Sequence, residues 1–261
     1  MARVDCGGAI WGFWAAESVN SRVIIEPLGD DLCTLNGVKF ACPGAADIGY
    51  ALITGWYSDE TAPHLVHMEL AQPGVRVSQG DWHPIGMAAD TSHDVSLENA
   101  TGRLVGGPGF YVTRPGFWHG SAGMAACWFG GALSLGNLLR EALAERKGLP
   151  TALQLAALGK VHLELSQGVL QLQGAATWLD LNPARDAKAV ALSLRIAIRQ
   201  IAKKVLDEVS NTLGVSSFYR NALFANLAAD LPVFVRLNSS EDELARLGEC
   251  LLGSQSSPWA L

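Results

Sequence analysis

Cysteine is sparse in this sequence, with five residues among 261, and no two of them form a CxxC pair. The five are scattered along the chain as Cys6, Cys33, Cys42, Cys127 and Cys250. Such a dispersed, odd set is typical of reduced thiols in a cytoplasm and argues against a zinc site. We therefore expect no metal centre, and we expect Cys42 to be a small buried hydrophobic residue rather than a reactive thiol.

Charged residues are also few, at 17% of the chain, and positive charge is not in excess. The net charge of −6 and the isoelectric point near 5.5 argue against nucleic acid or an anionic membrane as the main partner. No apolar run reaches roughly 18 residues without a charge or a turn signal, so no membrane insertion is predicted. Residues 1–5 lack the layout of a signal peptide. These features together predict a cytoplasmic protein.

Two motifs of common enzyme classes are missing. No G-x-G-x-x-G stretch follows a strand pattern, and strands do not alternate with helices, which excludes a Rossmann nucleotide-binding domain. The absence of a G-x-S-x-G elbow excludes a serine hydrolase of that type. The fold class must therefore be inferred from the pattern of secondary structure.

Hydrophobic residues, by contrast, make up 49% of the chain, enough for a large buried core. The pattern changes near Gly109, with short apolar alternations before it and long helical periodicity after it. We predict an α+β protein with a β domain over residues 1–109 and a helical domain over residues 110–261. The first should be an antiparallel β-barrel or sandwich, and the second an up-down helical bundle.

The β domain is expected to be organised around residues 35–47. An Asn-Gly pair at 36–37 is a strong tight-turn signal, because both residues tolerate positive φ. Cys42-Pro43-Gly44 should break the strand with a bulge that exposes backbone amides, since Pro43 has no N–H. Strands are predicted near residues 10–17, 22–26, 32–40, 47–56, 64–70 and 90–97.

The helical domain carries clear start and stop signals. Thr151 is placed to cap one helix, and residues 239–243 have the capping signature of the last one. The helix predicted at 184–213 has an apolar stripe and a basic face that includes Arg195 and Arg199. Helices are predicted over residues 122–146, 151–179, 184–213 and 221–235, with a short one from 239.

Several stretches resemble the middle β domain and the C-terminal bundle of the acyl-CoA dehydrogenases. Leu-Asn-Gly-Val-Lys at 35–39, then a small-residue break and an Ala-Asp pair before an apolar strand, is similar to the family's middle domain. Trp82 with the Gly-Met pair at 86–87 resembles its W-x-x-x-G-M stretch. Gly214 and the later Asp230 resemble its Q-x-x-G-G and R-D segment. The resemblance implies an FAD-dependent oxidoreductase acting on an acyl thioester.

The same resemblance implies which residues would face the isoalloxazine of the flavin. Ala16-Glu17 stands where the family has a Thr-Glu pair, so one hydroxyl is missing. Ala41 replaces an aromatic residue, and Pro43 replaces a second hydroxyl residue. Backbone amides around Cys42 would still reach the ring.

A second group of residues would contact the adenine end of a flavin bound to a neighbouring subunit. Asn211 stands at the family's Gln, and Gly214 at its first Gly. Arg146 is a candidate for the pyrophosphate, because a guanidinium suits phosphate geometry. An equally weighted interpretation of Arg146 is a solvated charge at the C-terminal end of a helix.

Catalysis in the family requires a carboxylate that removes the α proton while hydride leaves for the flavin. Its two known positions correspond here to Asn238 and Met124, which cannot accept a proton at neutral pH. His119 and Asp230 are the nearest titratable substitutes. We expect both to have structural roles more readily than catalytic ones.

Three functions remain open at this stage. The first is an acyl-CoA dehydrogenase-like flavoenzyme, with acyl-CoA as a possible substrate. The second is a non-catalytic subunit or assembly protein of the same fold, because both base positions are empty. The third is a flavin-dependent monooxygenase, which needs no carboxylate base.

The expected partners are another copy of the chain, in a homodimer or homotetramer, or a full-length dehydrogenase. Family members carry a helical domain ahead of the β domain, and this chain begins almost directly at the β domain. A partner would then supply the missing domain and base. Small residues near 122–136 and the apolar stripe of 184–213 are expected to lie at the interface between subunits.

Overall fold

A computed structural model describes residues 9–16, 22–78, 83–237 and 240–253. These residues divide into two compact units. The first holds the described residues up to Pro84 together with Ala88–Arg114, and the second holds Ile85–Met87 together with the described residues from Pro115 onward. The model has the predicted α+β architecture, with the strands in the first unit and the long helices in the second.

The first unit consists of seven strands and one short helix. The strands are β1 (Trp11–Trp14), β2 (Ile24–Gly29), β3 (Leu32–Pro43), β4 (Tyr50–Gly55), β5 (His64–Glu69), β6 (Val75–Val77) and β7 (Ser92–Val105), and the helix is α1 (Phe110–Thr113).

The strands form a single sheet in the order β1-β4-β5-β7-β3-β2, with β6 paired to β7. Every pair is antiparallel except β1 with β4, which run parallel. A parallel bridge joins Ile24 to Trp56, and the Trp56 N–H donates to the Val23 carbonyl at 2.8 Å. This bridge brings the start of β2 against the end of β4, so the sheet closes on itself. The predicted barrel is therefore confirmed, with the parallel β1 as an exception to its antiparallel pattern.

The barrel interior is mainly apolar, and it holds the charged side chain of Lys39. Side chains such as Ile25, Leu35, Ile53 and Met68 are almost fully buried. Lys39 is only 2% exposed among them, and its Nζ donates a hydrogen bond to Thr54 Oγ1 at 2.6 Å. The hydrogen bond offsets part of the cost of removing the ammonium group from water.

The predicted tight turn at residues 36–37 is wrong. Both residues lie inside β3, where the pairing with β7 shifts register between Leu35 and Gly37. The extra residue is on β7: Asn99 has a φ of 54°, and its N–H donates to Asn36 Oδ1 at 2.8 Å. Gly37 itself has a φ of 133°, and a Cβ there would lie 2.8 Å from the Arg22 carbonyl oxygen. The Asn-Gly pair thus serves a β-bulge rather than a hairpin.

The second unit is helical. Its helices are α2 (Pro115–Glu145), α3 (Ala152–Leu181), α4 (Lys188–Leu213), α5 (Ser217–Arg220), α6 (Ala222–Phe234) and α7 (Ser240–Leu252).

Helix ends follow the signals in the sequence. Thr151 caps α3 in a capping box with Gln154, as predicted. Asn221 caps α6 through a hydrogen bond from the Phe224 N–H at 3.0 Å. Gly214 ends α4 with a φ of 72°, a conformation that glycine adopts without strain.

Successive long helices run antiparallel, α2 against α3 and α3 against α4, so α2 and α4 run in the same direction. Gly136 of α2 lies against Leu165 of α3, while Phe129, earlier in α2, lies against Gly168, later in α3. Lys160 of α3 pairs with Glu208 of α4 at 3.2 Å. The predicted up-down bundle is therefore confirmed, and the last turns of α2 and α4 lie at the same end of it.

Residues that the sequence predicted at a subunit interface are buried inside the bundle instead. The stripe of α4, including Leu194, Ile198 and Val205, belongs to the core of this unit. On α2, Ala125 and Ala132 are fully buried in the same core. The assignment of the α4 stripe to a subunit interface is thus wrong, because α2 and α3 cover it. Other apolar side chains are left uncovered, among them Leu153, Leu155, Leu163, Leu170 and Leu181 of α3.

One helix among the described residues, Gly116–Glu145, is long and apolar enough by length and composition to cross a membrane. In its most apolar window, 44% of the residues are buried inside the bundle. A core helix of a globular domain passes the same test, and α2 provides the buried Trp128 and Leu135 of the helical core.

Candidate functional site

The bulge predicted near Cys42 exists, but it lies slightly earlier in β3. The pairing of β3 with β7 shifts register between Lys39 and Cys42, and Ala41 takes a φ of 48°. The amides at this site are occupied: Ala41 N–H donates to Asp94 Oδ1 at 3.0 Å, and Gly44 N–H donates to the Thr91 carbonyl at 3.2 Å. The expectation that the bulge leaves these amides available to a ligand is therefore wrong for Ala41 and Gly44.

Cys42 is a buried residue, as expected. Its side chain is fully inaccessible, and Sγ lies 3.3 Å from the carbonyl oxygen of Lys39. Burial raises the pKa of the Cys42 thiol to about 12. Because the thiolate is the nucleophilic form of cysteine, the group is inert at neutral pH.

The ends of β1 and β3 meet, and small side chains are exposed there. Trp14 Nε1 donates a hydrogen bond to the Pro43 carbonyl at 3.2 Å and so holds the two strand ends together. Ala16, Ala41 and Pro43 are all exposed here. Glu17 falls outside the described residues. The exposed side chains are small and carry no hydroxyl, so they would contact a planar ring by packing rather than by hydrogen bonding.

The second predicted group lies at one end of the helical bundle. Arg146 follows the last turn of α2, and Gly214 ends α4, so the antiparallel arrangement places both at the same end. Asn211 is exposed in the last turn of α4. Arg146 donates to the Gln154 side chain of the capping box. Arg146 is thus exposed, but its guanidinium is already hydrogen-bonded to the neutral side chain of Gln154. A bound phosphate would have to replace Gln154 as the acceptor.

Asp230 is engaged in a structural contact within the helical unit. Its Oδ1 accepts a hydrogen bond from the Met87 N–H at 2.6 Å. Gly86 packs directly against the carbonyl of Ala229, so closely that any Cβ at Gly86 would collide with that oxygen. Met87 has a φ of 58°. Asp230 therefore anchors the Gly-Met segment onto α6; the preceding Trp82 falls outside the described residues.

The other catalytic candidates lie near the start of α2. Met124 is partly buried and packs against the helical core. His119 is half-buried one turn earlier. Asn238 falls outside the described residues. At Met124 the helix therefore presents a thioether, which cannot act as a general base.

Arg195 and Arg199 are residues whose environment the sequence pattern did not predict. They were expected on a basic surface of α4, yet they are 6% and 2% exposed. Both pair with Glu243 of α7, at 2.7 and 2.6 Å. Their spacing of one helical turn was visible in the sequence, but the partner helix was not. Nowhere in the described ranges do three His, Cys, Asp or Glu side chains cluster as metal ligands would.

Comparison with known proteins places these elements in a known architecture. No protein-family model matches the sequence, and no curated protein does either. Solved structures do match. An acyl-CoA dehydrogenase from Geobacillus kaustophilus superposes with a TM-score of 0.81 at 15% identity, over 93% of this chain and 69% of that one. The chain has the acyl-CoA dehydrogenase fold. The resemblance inferred from the sequence is thereby confirmed for the fold.

Other matched structures have different names and ligands. A nitrososynthase from Micromonospora carbonacea matches with a TM-score of 0.80 at 18% identity, over 94% of this chain and 68% of that one. TdsC from a Paenibacillus species, solved with FMN and indole, matches with a TM-score of 0.78 at 17% identity, over 95% of this chain and 71% of that one. The matched fold is thus shared by proteins of different names, and the match shows the fold alone.

Proposed function

We propose that this protein is a flavin-dependent oxidoreductase built on the acyl-CoA dehydrogenase fold. The observation that supports this most strongly is the fold match over 93% of the chain to an acyl-CoA dehydrogenase. A second support is the exposed surface of small residues at the ends of β1 and β3, where the resemblance places the isoalloxazine. The cofactor proposed first is FAD.

One bound flavin would contact residues from two copies of this chain. Ala16, Glu17, Ala41 and Pro43 would contact the isoalloxazine, mostly by packing, whereas Cys42 is fully buried and would not reach the ring. Arg146, Asn211 and Gly214 of a neighbouring copy would contact the pyrophosphate and the adenine end. A bound flavin would supply the hydride acceptor that no amino-acid side chain provides.

Sharing a flavin between copies requires an oligomer, and we propose a homodimer or homotetramer. The exposed leucines of α3 support this, since they leave apolar side chains in contact with water in the isolated chain. A full-length dehydrogenase partner is the alternative occupant. We also propose a cytoplasmic location, from the composition of the chain.

Dehydrogenation of an acyl-CoA is the first candidate reaction. It requires a base near the substrate, and Met124 at one of the two family positions is not one. Loss of a general base typically costs about 10²–10⁴-fold in rate. A dehydrogenase built on this chain would therefore need a carboxylate from a partner or from elsewhere in an assembly.

Flavin-dependent monooxygenation is the second candidate, and Met124 favours it. Such a reaction uses oxygen and needs no carboxylate base at this position. The match to TdsC, whose structure contains FMN and indole, shows that this fold accommodates FMN in another protein. A non-catalytic subunit that keeps the fold is the third candidate, and it predicts no turnover in either assay.

A spectroscopic experiment separates these candidates. The purified chain is titrated with FAD and with FMN, and binding is followed by flavin absorbance and by quenching of flavin fluorescence. The variant Ala16→Trp would cover the proposed ring surface, whereas Leu28→Trp places the same side chain at an exposed position of β2. Loss of binding in the first variant alone supports the proposed surface. Absence of binding to either flavin by the wild-type oligomer would refute the proposed function.

The reaction is then assigned with the flavin-loaded protein. Bleaching of the oxidised flavin by acyl-CoA without oxygen would indicate dehydrogenation. Product formation from an added aromatic or amine substrate, dependent on both reduced flavin and oxygen, would indicate monooxygenation. A flavin that responds in neither assay supports the non-catalytic subunit.

A further inference from the structure

A cluster of buried charges on α4 and α7 lies within the helical unit and has no part in the proposed flavin site. Arg195 and Arg199 stand one turn apart on α4, and both form ion pairs with Glu243 of α7 at 2.7 and 2.6 Å. The three side chains are between 3% and 8% exposed. Two buried positive charges thus share one negative charge.

The other contacts of the two arginines are neutral. Arg195 donates to Ser121 Oγ at 2.9 Å, and Arg199 Nε donates to the Val235 carbonyl at 2.8 Å. The guanidinium groups lie 5.1 and 5.2 Å from the ring centre of Trp128. Within the described residues, Arg195 Nε and Arg199 Nη1 meet no hydrogen-bond acceptor. Donor groups are therefore left over as well as charge.

A cavity of about 130 Å³ adjoins this cluster, enough for several water molecules. Its walls combine two aromatic side chains with four charged ones, Phe117, Trp118, Arg195, Arg246, Asp242 and Glu243. With Arg199 behind it, the site holds three positive charges and two negative ones. The nearby charge is therefore +1, and part of it is removed from water.

A purely structural role, in which the ion pairs only hold α7 against α4, does not account for the excess of positive charge. One arginine would suffice to pair with Glu243, and the second adds a buried positive charge that has no carboxylate of its own. A small anion in the cavity would neutralise the excess positive charge beside the Arg195 guanidinium, which lines the cavity. Arginine is also the side chain best suited to bind carboxylate or phosphate oxygens in pairs.

We propose that this cavity is a binding site for a monoanionic oxyanion group, with Arg195 as its main ligand and Arg246 at its rim. Two sources have this chemistry: a carboxylate and a singly charged phosphate. The small volume limits the bound group to the anionic end of a ligand or to a free ion. The site is independent of flavin binding and would exist in the protein without it.

The test uses acetate and inorganic phosphate as probes on the full chain, at constant ionic strength with chloride. Thermal unfolding and calorimetric titration report saturable binding. Saturation by acetate alone assigns a carboxylate, and saturation by phosphate assigns a phosphate. A response that does not saturate for either probe overturns the proposal.

Variants locate the site. Arg195→Gln should weaken binding about tenfold or more, since a charge-assisted hydrogen bond to a buried anion is lost. Arg246 is exposed, so we expect Arg246→Gln to fold and to keep the test valid if the first variant does not. It should weaken binding about two- to fivefold. Arg236→Gln, an exposed arginine of the same unit, is the matched control. Equal weakening in the control, or none in Arg246→Gln, contradicts the proposed location.

Glu243→Gln gives a test of opposite sign. Removing the competing carboxylate leaves both arginines for the ligand, so anion affinity should rise about tenfold or more. If the arginines serve only to hold α7, this substitution weakens the protein without raising its anion affinity.

Discussion

Gly168 provides a strict test of how α3 packs in the bundle. The glycine is buried on the face of α3 that meets α2 and α4. A Cβ at this position would collide with the Phe129 ring, with Cδ2 at 2.9 Å, and would lie 3.4 Å from Ile198 Cδ1. An aromatic ring in a packed core cannot move aside cheaply, so we expect Gly168→Ala to destabilise the helical unit.

The expected magnitude follows from two opposing effects. Alanine in place of a helical glycine contributes about 1 kcal/mol of stability through backbone entropy. Overpacking a core costs about 1–3 kcal/mol. The net change for Gly168→Ala should then be a loss of about 0–2 kcal/mol.

The same helix contains its own control. Gly174 is exposed, and a Cβ there would meet nothing within 4 Å. Gly174→Ala should therefore stabilise the unit by about 1 kcal/mol. Urea unfolding monitored by far-ultraviolet circular dichroism measures the free energy of unfolding of both variants. In thermal unfolding, each kcal/mol of stability corresponds to about 2–4 °C in melting temperature. Equal stabilisation by the two substitutions would refute the described packing of α3 against Phe129.

Two further predictions concern the candidate site. Asp230→Ala should cost about 1 kcal/mol of stability, because the Met87 N–H loses its acceptor, whereas Asp230→Asn should stay close to wild type in urea unfolding. A catalytic Asp230 would instead lose activity in both variants. Cys42 should resist iodoacetamide in the native protein at pH 8, because its raised pKa leaves only about one thiol in 10⁴ ionised, whereas the exposed Cys127 should react. Mass spectrometry of tryptic peptides distinguishes the two cysteines. Rapid labelling of Cys42 in the native protein would contradict its burial.

Local patterns predicted much of the fold correctly. Alternating and helical periodicity separated the two units, and the Thr151 capping box formed as expected. These features depend on residues within a few positions of one another, so the sequence contains nearly all the information they require. The family resemblance at residues 35–39 added the order of the elements.

The candidate site was predicted less well, because its features depend on partners distant in sequence. The bulge amides near Cys42 were expected to be free, but Asp94 of β7 occupies the one at Ala41. The Asn-Gly pair was expected to form a tight turn, but it lies within β3, where pairing with β7 forms a bulge. In both cases a neighbouring strand decided which of several locally allowed conformations was adopted.

The sequence by itself determined the fold class, the helix caps and the small, hydroxyl-free residues at the expected flavin surface. It did so because periodicity, turn chemistry and residue size are local properties of the chain. Only the tertiary structure decided that Arg195 and Arg199 are buried beside Glu243, and that the apolar stripe of α4 faces the bundle core. Burial of a charge or of a stripe depends on which other element covers it, and that element lies elsewhere in the chain.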